Sequence, residues 1–270
     1  MKLAIFSDIH LEDKNTYQRQ FNLGSLVVAD AKECVALIAG DLSNKPAQVV
    51  EALRFFANHY QKVVFTYGNH EFYRMDMHTA MQLICEGVAD LRHVHVLNNQ
   101  LIQLQDNWYV WGGTLWTDFN RSNPLDILYA KNGMNDFRLI KETADSTVFT
   151  PEDSVRLHRQ AMMSLTEWIG QIRTDGKTLQ SAQRLIVMTH HAPTHRGTAK
   201  EYRDSPLNPA FSSHLDAFIE QHSELIPLWV HGHKHNSVHE WIGDTQVVCH
   251  PMGYRDEGPR NYAPKVMVLS

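Results

Sequence analysis

Five short polar clusters hold most of the side chains that could do chemistry in this 270-residue chain: Asp8-Ile9-His10, Gly40-Asp41, Gly68-Asn69-His70-Glu71, His190-His191 and Gly232-His233-Lys234-His235. Their donors are carboxylate and amide oxygens and imidazole nitrogens, with no thiolate. That set suits Mn, Fe or Zn better than Cu(I) or an iron–sulfur cluster. Asp8, His10, Asp41, Asn69, His190, His233 and His235 are seven candidate ligands. One catalytic ion takes about three protein ligands and keeps a position open, so seven suit two ions, provided one carboxylate bridges them. Paired divalent ions orient a phosphate ester and activate a water against it. Two such ions, set against two Asp carboxylates and a hydroxide, leave net positive charge for an anionic phosphate.

Each cluster follows an apolar run that reads as a strand buried on both faces: Leu3–Phe6, Cys34–Ala39, Val63–Tyr67, Leu185–Met188 and Leu228–Val230. In open α/β sheets ligands bind outside the carboxyl ends of the strands. That edge is where residues more than two hundred positions apart would converge. Helical patterns lie between the runs, over Ala47–Tyr60, Met75–Val88, Pro151–Ile172 and Ser213–Gln221. Thr150 is set to cap the third of these, with Pro151 in first position, Asp153 completing a capping box and Gly176 just beyond its end. Shorter strands are expected over Val94–Leu97, Leu101–Leu104, Trp108–Trp111, Ser237–Trp241, Gln246–Cys249 and Lys265–Leu269, with turns at Asp106-Asn107 and Gly243-Asp244. Alternating strand and helix predicts an α/β fold. One domain over residues 1–270 is expected, with a largely helical insertion at about 114–183.

Composition narrows the classes. Hydrophobic residues make up 43% of the chain and charged ones 20%, enough for a core and too apolar for disorder. The net charge of −5 and the lack of a basic stripe weigh against coating long nucleic acid. No apolar run reaches the ~18 residues of a membrane span. The N-terminal run turns polar at Ser7-Asp8, too early for a secretory signal, so a cytoplasmic protein is expected. Three widely spaced cysteines, Cys34, Cys85 and Cys249, form neither a disulfide framework nor a thiolate zinc site.

The ordered set D-x-H, G-D, G-N-H-[ED], a later His and G-H-x-H resembles that of the calcineurin-like metallophosphoesterases, and the resemblance runs from Asp8 to His235. It implies a four-layer α/β/β/α sandwich with two mixed β-sheets and a dinuclear centre at the carboxyl ends of the strands. It also implies that Asp8, His10 and His235 hold one ion, that Asn69, His190 and His233 hold the other, and that Asp41 bridges them. His70 then contacts the phosphate and stands near the leaving oxygen. The activity implied is hydrolysis of a phosphate ester by a metal-activated water or hydroxide. The cofactors implied are two divalent or mixed-valence ions, Mn, Fe or Zn.

Subclass must come from departures. Leu42-Ser43-Asn44-Lys45 stands where Ser/Thr protein phosphatases carry an Asp-Arg pair, and His70 stands where lipid-A-pathway diphosphatases carry Arg. Nucleases of the family that process double-strand breaks carry a further capping domain, for which 270 residues leave little room. A small phosphorylated substrate remains: a phosphodiester, a nucleotide or dinucleoside polyphosphate, or a phosphomonoester. A scaffold that keeps the fold without catalysis is the distant alternative, and every functional position being filled weighs against it. Among other candidates, Asn69, His70, Arg74 and His195 are assigned to substrate, although Arg74 and His195 also read as ordinary surface residues. His191 competes with His190 as ligand, and His250 could line the rim. Trp116, Phe119, Asn135, Asp136 and Arg138 could cradle a base, or the aromatics could simply pack the insertion onto the sheet. Tyr202, Ser205 and Asn208 could form another wall.

Overall fold

A computed structural model describes residues 1–14, 21–176, 183–256 and 262–269. The strands are β1 (Lys2–Phe6), β2 (Cys34–Ala39), β3 (Lys62–Thr66), β4 (Val94–Leu97), β5 (Gln100–Gln105), β6 (Trp108–Gly113), β7 (Arg184–Thr189), β8 (Leu228–His231), β9 (Val238–Ile242), β10 (Thr245–Cys249) and β11 (Lys265–Val268). They form two sheets, ordered β11-β1-β2-β3-β4 and β5-β6-β7-β8-β10-β9. In the first sheet β1 to β4 are parallel and only β11 is antiparallel. In the second, β6, β7, β8 and β10 are parallel, and β5 and β9 add antiparallel edges.

The period of two along each strand sorts its side chains into layers. Leu3, Ile5, Val35, Leu37 and Val64 face inward to meet Val110, Ile186, Met188, Leu228, Val230 and Val248 of the second sheet. Their neighbours Ala4, Phe6, Ala36, Ile38, Val63 and Phe65 face out, against helices Pro46–His59 and Met77–Val88. On the far side Trp111, Leu185, Val187, Trp229 and Val247 pack on Ala161, Leu165, Ile169 and Ile172 of helix Pro151–Gly176 and on Ile219 of helix Asp216–Gln221. The result is the expected α/β/β/α sandwich with two mixed sheets. Each fully buried aliphatic side chain contributes about 1.5–3 kcal/mol, so the two sheets give the strand ends a rigid base.

Helix Pro151–Gly176 starts at a reciprocal cap. The Asp153 amide donates to Thr150 Oγ1 at 3.2 Å, and the Thr150 amide donates to Asp153 Oδ2 at 3.0 Å. The helix belongs to the crossover that parallel β6 and β7 require. Ahead of it, Phe119, Ala130 and Met134 form a small cluster with Val155 and Ala210. That cluster fixes residues 119–139 beside the strand ends. Residues 177–182, the close of the stretch expected to be an insertion, lie outside the described residues. Among the described residues no helix is long and apolar enough to cross a membrane.

Candidate metal centre

The polar clusters come together where both sheets end. Asp8 and His10 follow β1, Asp41 follows β2, Asn69 and His70 follow β3, His190 follows β7, and His233 and His235 follow β8. Backbone hydrogen bonds lace the loops together: Asp8 N to Gly40 O at 3.1 Å, His10 N to Asp41 O at 3.0 Å, and Gly232 N to His190 O at 2.9 Å. Two bonds cross between the sheets. His190 Nδ1 donates to the Ala39 carbonyl at 2.9 Å, and the His233 amide donates to Asp8 Oδ1 at 2.8 Å. Gly232 must be glycine for this approach, because a Cβ there would stand 2.8 Å from Ala39 O and from Asp8 Oδ2.

Five of the seven candidate ligands have left-handed backbone: Asp8 (φ 52°), His10 (51°), Asp41 (57°), His233 (69°) and His235 (50°). A non-glycine residue adopts this region at a cost of about 1–2 kcal/mol. It persists where the surroundings overdetermine it, as they do at many functional sites. Here the conformation turns successive side chains inward from loops too short to do so otherwise.

Three groups of donors result among the described residues; one is His10, Glu12 and His70, and Asp41 belongs to both of the others. Asp8, His10, Asp41 and His235 form the first of these two, and Asp41, His190 and His233 the second. In the first, His10 Nε2 lies 3.0 Å from His235 Nε2 and 3.7 Å from Asp41 Oδ2, and His235 Nε2 lies 3.6 Å from Asp8 Oδ1. In the second, His190 Nε2 lies 3.0 Å from Asn69 Oδ1, 3.2 Å from His233 Nδ1 and 3.3 Å from Asp41 Oδ2. Donors about 2.0–2.2 Å from one ion stand about 3.0–3.5 Å apart in octahedral or tetrahedral array; the second group falls in that range, and the first exceeds it by 0.1–0.2 Å at two of its three spacings. The tautomers agree. His190 gives its Nδ1 proton to Ala39 O, and His10 gives its own to Glu12 Oε1 at 3.1 Å. Each therefore turns an Nε2 lone pair inward, where another ring nitrogen also points. Asp8 Oδ2 is buried without a hydrogen-bond partner. Cations would relieve these arrangements, and the donor set fits a metal site.

Outer residues hold these donors in place. Asn69 Nδ2 donates to Asp136 Oδ1 at 2.8 Å and to Tyr73 Oη at 3.1 Å, while the Tyr73 hydroxyl donates to the same Asp136 oxygen at 2.7 Å. This fixes the amide with Oδ1 facing His190. The buried Glu71 carboxylate accepts from four backbone amides, Gly68, Asp41, Leu42 and Ser43, at 2.6–3.3 Å, joining the loops after β2 and β3. Burial and the Asp41 charge push its carboxyl up to about 7. Glu12 Oε1 accepts from both His10 Nδ1 and His70 Nδ1, the latter at 2.8 Å. Burial opposes charge at Glu12, yet the bonds from His10 and His70 pull it down to about 2.

The same balance sets the histidines. Burial works against charge at His190 and His70, but Asp41 beside both, aided by Glu12 at His70, lifts each to about 9 in the metal-free protein. Cations at the site would oppose those protons. Burial holds His233 and His191 neutral, well below the usual range.

The other candidates fall in different places. His191 is buried behind the ligands, with its Nδ1 3.3 Å from Thr114 O and its ring against Trp116 and His233. Arg74 is exposed and stands outside the lining of the cleft over the candidate ligands. His195 stacks on His214 at 3.9 Å, also outside that lining. Trp116 packs against Phe72 and Phe149. His250 bonds the Ala263 carbonyl. The cleft, of about 620 Å³, is floored by Asp41, Asn69, His70, His233 and His235 and walled by Asn135, Tyr202, Ser205, Asn208, Phe211 and Tyr254. Lys234 turns away from the candidate ligands and bonds Thr194 O and Thr198 Oγ1, pinning the loop that forms one wall. Asp136, a candidate for cradling a base, instead lies buried behind Asn69 and orients it. Glu12 and Tyr254 were not legible as site residues. Only Glu12 carried a signal, in its spacing two residues beyond His10.

The sequence matches the calcineurin-like phosphoesterase family over residues 1–237. No curated protein matches it by sequence. Among solved structures it is similar to a phosphopantetheinyl hydrolase from Mycobacterium tuberculosis, with a TM-score of 0.67 and 13% identity over 98% of this chain and 95% of that one. It is also similar to a dimetal phosphatase from Danio rerio, with a TM-score of 0.52 and 15% identity over 97% and 90% of the two chains. A protein from Thermus thermophilus gives a TM-score of 0.57 at 12% identity, over 98% and 97%. At these identities the likeness is one of fold.

Proposed function

The chain belongs to the calcineurin-like phosphoesterase family, and on that premise we propose that it is a dinuclear metal-dependent hydrolase of a small phosphate ester, with a phosphodiester as the first candidate substrate. The observation that carries this reading is the sharing of Asp41 by two donor groups. Asp8, His10 and His235 would hold one ion, Asn69, His190 and His233 the other, and Asp41 both. When bound, the ions would polarise a phosphoryl oxygen and lower the pKa of a water to make it nucleophilic at neutral pH.

The chain's own residues do the rest. Glu12 fixes His70 with Nδ1–H toward the carboxylate, leaving Nε2 to face the cleft. From there His70 can contact the phosphoryl group and act as the source of the proton for the departing oxygen. Asn69 and His70 bind the phosphate end. The organic half lies between Asn135 on one side and Tyr202, Ser205, Asn208 and Phe211 on the other, a mixture of amides, hydroxyls and aromatic faces suited to a nucleoside or similar group. Arg74 and His195 contribute only if the loops bearing them move toward the cleft. A nucleotide or dinucleoside polyphosphate and a phosphomonoester are the alternatives.

The test is turnover of chelator-stripped protein after addition of Mn, Zn or Fe singly, with bis(p-nitrophenyl) phosphate beside p-nitrophenyl phosphate. Metal-dependent diester turnover supports the reading. Monoester turnover alone moves it to a phosphatase. Silence on both and on a nucleotide panel, with two ions bound, would leave the non-catalytic scaffold.

A further inference from the structure

Tyr254 enters the cleft from beyond β10, in a segment that no motif marks. Its backbone is anchored to the first sheet, where Gly253 N donates to Asp8 O at 2.9 Å and Met252 N to Ser7 O at 3.0 Å. Gly253 has φ 71°, which turns the next side chain back over the strand ends. The phenol ring lies against His10 and His235, with ring centroids 4.4 and 4.6 Å apart. Its hydroxyl stands 3.0 Å from His70 Nε2.

That last contact matters because of what holds the other side of His70. Nδ1 is committed to Glu12 at 2.8 Å. The nitrogen left to exchange a proton with substrate is Nε2, and it faces the Tyr254 hydroxyl. A hydroxyl can accept one hydrogen bond while donating another. We propose that Tyr254 is a catalytic residue that relays the proton between His70 Nε2 and the leaving oxygen, in a line running Glu12, His70, Tyr254, ester oxygen. This rests on the hydrolase reading above.

The step balances as follows. As the P–O ester bond breaks, its electron pair goes to the leaving oxygen. That oxygen takes the Tyr254 hydroxyl proton, and Tyr254 takes the proton of His70 Nε2. The substrate water supplies the oxygen of the new P–O bond, and a proton from that water restores His70. The products are an alcohol and the phosphate.

A relay matters most where the leaving group is a poor one. The test compares Tyr254→Phe with wild type, both loaded with Mn, on phenyl and p-nitrophenyl esters of the same phosphate. The expected result is a fall in kcat of about 10- to 100-fold on the phenyl ester, a share of the usual 10²- to 10⁴-fold for acid catalysis, and a several-fold smaller fall on the p-nitrophenyl ester. Calorimetry should show unchanged metal affinity. In the metal-free protein, nitrogen NMR of the His70 ring should show Nε2 moved by the substitution and Nδ1 unmoved. Equal losses on both esters, or no loss, would overturn the relay, as would an unmoved Nε2 resonance. If loaded wild type hydrolyses neither these esters nor any member of a nucleotide panel, the hydrolase reading itself fails and the relay falls with it.

Discussion

Removing the Asp136 carboxylate should loosen one metal and spare the other. Asp136 is 3% exposed and makes no contact with the cleft, yet its Oδ1 holds Asn69 Nδ2 at 2.8 Å and the Tyr73 hydroxyl at 2.7 Å. In Asp136→Ala the Asn69 NH₂ keeps only Tyr73 as partner, and the amide is freer to turn over. Its NH₂ would then face His190 in place of Oδ1, and an NH₂ cannot ligate. A hydrogen bond to a charged acceptor contributes about 1.5–3 kcal/mol, which corresponds to about 10- to 100-fold in affinity. Loss of an outer partner of a metal ligand gives the same range, about 10- to 100-fold. The assay is calorimetric titration of chelator-stripped protein with Mn. The site of Asn69, His190 and His233 should weaken by that factor, while the site of Asp8, His10 and His235 stays within about threefold. Asp136→Asn, which keeps an acceptor oxygen, should recover most of the loss. Equal weakening of both sites, or unchanged affinity at both, would refute the orienting role.

Three further outcomes are expected. His70→Ala should keep both ions by elemental analysis and lose about 10²- to 10⁴-fold in kcat; unchanged turnover with the metals bound would remove His70 from the chemistry. Gly40→Ala should be poorly tolerated, because φ is 81° and the new Cβ would stand 2.5 Å from His190 Nδ1 and 2.6 Å from Gly68 N. A cost of about 3 kcal/mol, near 5 °C in melting temperature for a chain of this size, is expected in calorimetry, and a shift under 1 °C would contradict it. Metal loading should tighten as pH rises toward 9, because Asp41 holds the metal-free His190 charged up to about 9 despite burial and a cation must displace that proton. Affinity should rise about tenfold per pH unit for each proton released, and a flat profile between pH 6 and 8 would contradict the competition.

The central strands could be read from the sequence because they are short apolar runs that stop abruptly at polar residues, while their division into two sheets followed only from the family resemblance. The run Cys34–Ala39 is buried throughout, and the polar residue after each run is where the chain leaves the sheet. The helix at Pro151 was legible because its cap uses local chemistry, Thr150 and Asp153 three residues apart. Residues 119–139 were not legible. Helix Pro124–Gly133 buries only Ala130 and so has no apolar stripe, and Phe119–Ser122 is a turn of consecutive left-handed residues with no sequence signature. Four of the ligand positions were visible as the pairs Asp8/His10 and His233/His235, two residues apart, whereas Asp41 stands alone after Gly40. The roles of the residues that hold these positions were not visible. Asp136 and Tyr254 act singly, 67 residues from Asn69 and 184 from His70, and only the tertiary fold brings them there. Glu71 lay inside a cluster, but its bonds to four amides depend on how two loops approach.

Two cations sharing Asp41 should couple magnetically. Electron paramagnetic resonance of stripped protein titrated with Mn should show two ions per chain with the signature of a spin-coupled pair, and loss of that coupling in Asp41→Asn. Saturation at one ion, or two ions giving the spectrum of isolated Mn in the wild type, would contradict the sharing.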